Sequence, residues 1–292
     1  MNGPSIDLLA PAKINLCLHV LGQRPDGYHE LYSLMCPVAL YDRLRLTIAG
    51  DVDEITCDPP SSVPADDSNL ALKAAKLFNA ALLADGRQIV GNVSIHLEKR
   101  IPVGAGLGGG SSDAAAVLKG LNAHCGRPFD GQRLRAMALR LGADVPFFID
   151  ARPAIAQGIG EQLTPYEGLP PLWTVLIYPG FGLSTAQVYK ELNFALTKSK
   201  KKLRNLPFKN GNFSATHHLH NDLEAGVGDR FTVIDKVKRA LLDQGALGSL
   251  MTGSGSVVYG LFADEIGADR AKAVMGLELA PGQRIFVARL LV

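Results

Sequence analysis

Apolar and polar positions sort this chain into short strands first and mixed strands and helices later. The segments IDLLA (6–10), AKINLCLHVLG (12–22), YDRLRLTIAG (41–50) and GNVSIHLEK (91–99) combine β-branched and other apolar residues between Gly, Pro or Asp turns, and they predict strands. DDSNLALKAAKLFNAALLADG (66–86) has apolar residues at helical spacing, with Asp66, Asp67 or Ser68 as the expected cap and Gly86 past its end. A glycine-rich loop and a second helix follow, then DGQRLRAMALRLG (130–142), a helix closing on Gly142, and a short ADVPFFI (143–149). Beyond residue 170 the pattern predicts a strand (172–180), a helix (185–196), a basic loop, a helix (231–245), a strand (256–262), a helix (266–277) and a strand (284–292). Strands and helices without a strict βαβ rhythm favour an α+β architecture over a doubly wound parallel sheet. Gly and Pro accumulate between residues 150 and 170, which predicts two domains, 1–158 and 159–292.

Composition agrees with this picture. At 292 residues, 47% apolar and 20% charged, the chain has enough hydrophobic surface for two cores. A formal charge of +2 argues against a nucleic acid or membrane partner. The four cysteines lie far apart with no C-x-x-C pair, as expected of reduced thiols in a cytoplasmic protein. The N-terminus lacks the pattern of a secretory signal, and bursts such as WTVLIY (173–178) are strand-sized, too short to span a bilayer.

The chemistry concentrates in KRIPVGAGLGGGSSDAAAVLKGLN (99–122). A glycine loop entering a helix is an anion site, because unpaired N–H groups and the helix dipole point at the ligand. Gly104, Gly106 and Gly109 satisfy G-x-G-x-x-G, yet Lys99, Arg100 and Pro102 precede them where a dinucleotide fold needs a buried strand. Asp130, the acid at the matching distance, lies in a turn, and no Gly-Lys-Ser/Thr closes the loop as a Walker A motif requires. What remains is a Cβ-free approach for a polyphosphate, with Ser111 and Ser112 expected as caps and hydroxyl donors.

PVGAGLGGGSSDAA (102–115) resembles the central phosphate motif of the GHMP kinases, the superfamily of galactose, homoserine, mevalonate and phosphomevalonate kinases. APAKINLCL (10–18) is similar to the superfamily's first motif, and MTGSGSVVYGLF (251–262) to its C-terminal one, in the right order over most of the chain. The resemblance implies a ribosomal-protein-S5-like N-terminal domain for ATP binding, a ferredoxin-like C-terminal α/β sandwich and an active site in the cleft between them. D-G-Y-H (26–29) and LGADVPFF (141–148) resemble one branch of the superfamily. That branch uses ATP to phosphorylate the 2-hydroxyl of a CDP-linked methylerythritol in non-mevalonate isoprenoid and terpenoid precursor biosynthesis.

A cytidine substrate needs an aromatic face and directional polar groups. Tyr28 and His29, after a turn at Gly27, are candidates, and the resemblance adds Tyr189 as a second aromatic, Thr185 as a polar contact and Asn15 beside the substrate. Phosphoryl transfer needs positioning, charge neutralisation and a group for the hydroxyl proton. Asp144 is the candidate base or orienter, held outward if Pro146 keeps Val145 extended. Lys13 is its candidate charge partner, and the resemblance implies the same pairing. For ATP it implies Asn69 and Lys99 near the adenine. The triphosphate would lie along Gly104, Ala105, Gly106, Leu107, Gly108, Gly109, Gly110, Ser111 and Ser112, with Pro102 and Val103 also in the cofactor site and Thr252 to Ser254 as the far wall. Magnesium is expected with ATP, without a dedicated protein cage; no protein metal ligand is expected, and His217, His218 and His220 lack Cys or acidic neighbours.

The segment from Lys198 to Lys209 carries six basic residues and reads as an exposed loop or a lid for an anion. The expected state is a monomer or weak homodimer. Three alternatives stay open: a homoserine- or mevalonate-type kinase, an RNA-binding protein on the same fold, and a nucleotide sensor without turnover.

Overall fold

The structure is a computed structural model that describes residues 3–48, 52–60, 62–192 and 212–292. The basic segment 198–209 lies outside the described residues. Two compact units are built, neither from a single run of chain. The first comprises Met1–Ala12, Tyr41–Val103 and Gly108–Ala151, the second Lys13–Leu40, Gly104–Leu107 and Arg152–Val292. Two long strands, β1 (Ser5–Gln23) and β2 (His29–Ile48), contribute to both.

In the first unit β2 pairs antiparallel with β4 (Val93–Glu98), and β3 (Glu54–Asp58) pairs parallel with β4. Alternation decides the faces: Asp42, Leu44, Leu46 and Ile48 are buried while Arg43 and Arg45 are exposed. Four helices belong to this unit: α1 (Leu70–Ala84), α2 (Gly109–His124), α3 (Gly131–Leu141) and α4 (Val145–Asp150). Residues 112–118 of α2 are all buried, which makes it the central helix of the unit. Gly120 brings α2 close to β1, since a Cβ there would lie 2.8 Å from both Cδ atoms of Leu8.

In the second unit β5 (Ala154–Gly158) pairs with β2 and with β6 (Gln162–Pro165). A four-stranded antiparallel sheet has the order β11 (Arg284–Arg289), β7 (Trp173–Tyr178), β10 (Val258–Phe262), β9 (Gly248–Met251). Helices α5 (Thr185–Glu191), α6 (Ala215–His218), α7 (Phe231–Asp243) and α8 (Glu265–Gly276) complete the described α-helices, two 3-10 turns span Asp222–Gly226 and Gly228–Arg230, and β8 (His220–Asn221) pairs parallel with β1. The core gathers Val175, Ile177, Ile234, Leu241, Val258 and Phe262 around Leu18 and Val20 of β1.

The α+β expectation holds, and three local expectations need correction. Residues 6–10 and 12–22 form one strand through Pro11. Helix α1 is capped by Asn69, whose Oδ1 accepts from Ala71 N at 3.0 Å. Asp66 instead closes the preceding turn by accepting from Ser68 N at 2.8 Å, so Asp66, Asp67 and Ser68 are not the cap. Val145 is the first residue of α4 and is not extended: Pro146 is at home in a first helical turn, where no backbone N–H is needed.

Candidate active site

The glycine loop is shaped by alternation. Gly104, Gly106 and Gly108 have φ of +64°, +79° and +70°, while Ala105 and Leu107 between them are buried. The buried side chains pin the loop and the glycines turn it. Its carbonyls are tied within the second unit: Gly104 O accepts from Leu183 N, Ala105 O from Val257 N and Leu107 O from Lys13 N at 3.0–3.2 Å. Gly106 lies against the glycine turn after β9, where a Cβ would fall 2.1 Å from Thr252 O.

Helix α2 starts without a side-chain cap. Asn69, Asp130 and Asp264 cap α1, α3 and α8 with side-chain oxygens, whereas α2 begins at Gly108 with no side-chain cap bond. Ser111 and Ser112 are therefore not caps; they sit inside the first turn, because the glycine at position 108 takes the left-handed turn that admits the chain to the helix. The first helical bond is Ser112 N to Gly108 O, 2.9 Å, which leaves the N–H groups of Gly109, Gly110 and Ser111 outside the helical ladder. Ser112 Oγ is buried and has no partner among the described residues.

Under this turn lies a buried ion cluster. Lys99 Nζ donates to Asp42 Oδ2 and, at 2.9 Å, to Asp113 Oδ2. Asp42 Oδ1 also accepts from Arg100 N and Ile101 N at 2.6 and 2.8 Å. Lys99 thus turns its ammonium toward two carboxylates. Gly109 covers it, since a Cβ there would lie 3.2 Å from Nζ. Burial works against the lysine charge, yet Asp113 and Asp42 hold its pKa above the ordinary value. Asp113 is pushed up from 3.8 to about 7, chiefly by burial and against the pull of Lys99. Asp42 has three donors, whereas Asp113 Oδ1 has no partner among the described residues, so Asp113 is the carboxyl that keeps the proton.

A folded pKa above the unfolded one means that the native state holds this proton more tightly. Its stabilising contribution is full below about pH 4 and is lost as the pH rises toward 7. Asp113→Asn is expected to remove that loss, so urea unfolding of the variant should show a flatter decline from pH 4 to 7. An unchanged slope would assign the decline to other groups.

A second network surrounds Lys13 in the other unit. Lys13 Nζ donates to Asn15 Oδ1 at 2.6 Å, and Asn15 Nδ2 donates to Ser33 Oγ at 2.8 Å. Asn15 N donates to Thr252 Oγ1 at 3.0 Å, and Asn15 O accepts from Tyr259 Oη at 2.9 Å. Gly253 borders the same ammonium, with a Cβ position 3.2 Å from Nζ. Asn221 Nδ2 fixes this turn by donating to Met251 O and Gly253 O, both at 2.8 Å. Burial holds the Tyr259 hydroxyl pKa well above its ordinary value, so it stays a donor. Tyr259→Phe is expected to cost about 1–2 kcal/mol in urea unfolding, because it removes a buried donor to Asn15. No change in midpoint would show that the bond contributes nothing.

Two of the aromatic-site candidates stack directly on one another, and the third is exposed. The Asp26–Gly27 turn leaves Tyr28 59% exposed, with Tyr28 N donating to Asp26 Oδ1 at 3.1 Å. His29 stacks on Tyr189 at 4.6 Å between centroids, 16° from parallel, and burial lowers its pKa. Thr185, one helical turn before Tyr189, exchanges a hydrogen bond with Ser254 at 2.8 Å. Asp144 immediately precedes α4, half-buried, with no capping bond. Asn69 is engaged as a cap and also donates to Pro64 O at 2.8 Å. Pro102 is buried and Val103 half-exposed. Asp42, Asp113, Ser33, Asn221 and Tyr259 join these networks without having stood out in the sequence.

Residues 69–152 match the GHMP kinase N-terminal domain family, and residues 194–279 the GHMP kinase C-terminal family. A 4-diphosphocytidyl-2-C-methyl-D-erythritol kinase of Syntrophotalea carbinolica is 48% identical over 95% of this chain and 96% of its own. One of Geobacter sulfurreducens is 43% identical, covering 92% of this chain and 94% of its own. A crystal structure of a 4-(cytidine 5'-diphospho)-2C-methyl-D-erythritol kinase superposes with a TM-score of 0.77 at 37% identity, covering 98% and 99% of the two chains. A crystal structure of L. major mevalonate kinase shares the fold, with a TM-score of 0.68 at 14% identity, covering 99% and 98%. The class is therefore a two-domain GHMP kinase fold. The chain belongs to the GHMP kinases and, within them, to the family of the 4-diphosphocytidyl-2-C-methyl-D-erythritol kinases. No helix among the described residues is long and apolar enough to cross a membrane.

Proposed function

We propose that this protein transfers the γ-phosphoryl group of ATP to the 2-hydroxyl of 4-diphosphocytidyl-2-C-methyl-D-erythritol, in non-mevalonate isoprenoid precursor biosynthesis. The observation that carries this reading is the 48% identity, over nearly the whole of both chains, to a relative named for that substrate. The geometry supplies parts that suit the chemistry. Phosphoryl transfer is mostly positioning and charge stabilisation. The uncapped N–H groups of α2, the alternate glycines of the loop and the orphaned Ser112 hydroxyl fit a triphosphate. Lys13, oriented by Asn15, neutralises charge on the migrating group, and Asp144 orients the substrate hydroxyl or takes its proton. Tyr28, His29 and Tyr189 provide faces for a cytosine ring, and Thr185 and Asn15 polar contacts.

Magnesium accompanies ATP as its charge partner. The Asp42–Asp113 pair does not fit as its cage, because the Lys99 ammonium already bridges both carboxylates. The functional division 1–158 and 159–292 is supported by the two family matches, which fall on either side of it. A cytoplasmic enzyme is the reading that suits four free cysteines, with the Cys17 thiol pushed up to about 12 by burial.

The test is ADP release by the purified protein with ATP and magnesium, on the cytidyl substrate, homoserine and mevalonate in parallel. Turnover on the cytidyl substrate alone is expected. Turnover on homoserine or mevalonate in its place would overturn the substrate assignment and leave the phosphate loop standing.

A further inference from the structure

We propose that His19, His220 and Asp222 bind one divalent transition-metal ion of the zinc type, at a site apart from the phosphate machinery. Topology brings these residues together from opposite parts of the chain. Strand β8 pairs parallel with β1 in the register Cys17 to His220 and Leu18 to Asn221. His19 is the next residue on β1 after that pairing, and Asp222 is the next after β8. The two imidazoles stack at 4.4 Å between centroids, 17° from parallel. His220 Nε2 lies 2.6 Å from Asp222 Oδ1, and His19 Nδ1 lies 3.9 Å from Asp222 Oδ2. One donor atom from each residue falls within 4.8 Å of the others, and all three residues are half-buried.

The donor set suits the ion. Imidazole nitrogen and carboxylate oxygen are ligands of zinc and its first-row neighbours, and three protein ligands leave a coordination position for water. The carboxylate is oriented by its own outer bond: Asp222 Oδ2 accepts from Val20 N at 2.8 Å. Backbone bonds of this kind fix metal ligands in place. Metal–ligand bonds of about 2.0–2.1 Å set tetrahedral donors roughly 3.3 Å apart, wider than the 2.6 Å between His220 Nε2 and Asp222 Oδ1 and narrower than the 3.9 Å between His19 Nδ1 and Asp222 Oδ2.

The other histidines expected in one tract with His220 are engaged elsewhere. His217 Nδ1 contacts Ser214 Oγ and Thr216 Oγ1, and His218 Nδ1 accepts from Ser214 N. The acid that seemed lacking near the tract is Asp222, two residues past His220. Lys13 lies six residues back along β1, about 20 Å at strand rise, so the proposed ion is not the one that travels with ATP.

The full chain, stripped with EDTA and free of nucleotide, would be titrated with zinc chloride by calorimetry, and with cobalt(II) by its visible absorption. One ion per chain is expected, with affinity lowered at least about tenfold in His19→Gln, His220→Gln and Asp222→Asn, and unchanged in His217→Gln. Circular dichroism identifies any variant that fails to fold, and the remaining ones carry the test. Absence of stoichiometric binding to the wild type would overturn the proposal. So would affinity that is undiminished in the folded variants, or lost in His217→Gln.

Discussion

Replacing Asp144 by asparagine should lower kcat by about 10²- to 10⁴-fold, the usual contribution of a group that takes or orients a reacting proton. The amide keeps the shape of the side chain and removes its basicity. Asp144 immediately precedes α4 without capping it, so the helix does not depend on the carboxylate for its start. The loss should therefore appear in kcat, with KM for ATP and the urea midpoint little changed. A variant with wild-type kcat would remove Asp144 from the chemistry. One that lost activity in proportion to its folded fraction would make it a structural residue.

Gly106→Ala should lower kcat/KM for ATP by about 100-fold, the scale set by displacing a reacting group about 1 Å. Two costs coincide at this position. The backbone has φ of +79°, which a Cβ disfavours by about 1–2 kcal/mol. The methyl would also sit 2.1 Å from Thr252 O, a backbone atom that cannot swing aside, and 3.1 Å from Gly255 N. Either the glycine loop or the turn after β9 must move. Gly104→Ala separates the two costs, because its φ is +64° but nothing lies within 4 Å of the added carbon. It should pay the conformational cost alone and lose well under tenfold. Equal losses in the two variants would show that the contact with Thr252 does not position the loop.

The same loop shows how far the sequence could be read. Alternate glycines announced a turn into a helix and an anion site. They did not say that Ala105 and Leu107 would be the buried pins, because a loop residue's burial depends on what packs over it. The serines at 111 and 112 have the chemistry of caps, but the left-handed turn at Gly108 places the helix start before them. The first half of β2 carries no clear strand pattern, because Pro37 interrupts it. Its carbonyl accepts from Leu291 N at 2.9 Å, a long-range bond that no local pattern announces. Asp42, by contrast, left a signal: it shares parity with Leu44, Leu46 and Ile48, so it had to face the core and find a cation. Which cation, Lys99, is fixed by strand pairing and not by spacing. Among the aromatics the sequence supplied the residues but not the pairing of His29 with Tyr189, which arises from α5 approaching the start of β2 within one unit.

The central claim is that a phosphoryl group reaches a tertiary hydroxyl of a cytidyl-linked polyol. The most direct measurement is the proton-coupled phosphorus NMR spectrum of the product formed from ATP and 4-diphosphocytidyl-2-C-methyl-D-erythritol. Carbon 2 bears the methyl group and no hydrogen, so phosphorylation there predicts a new phosphomonoester resonance without three-bond splitting from a carbinol proton. A doublet or triplet would place the phosphate on a secondary or primary hydroxyl and contradict the account.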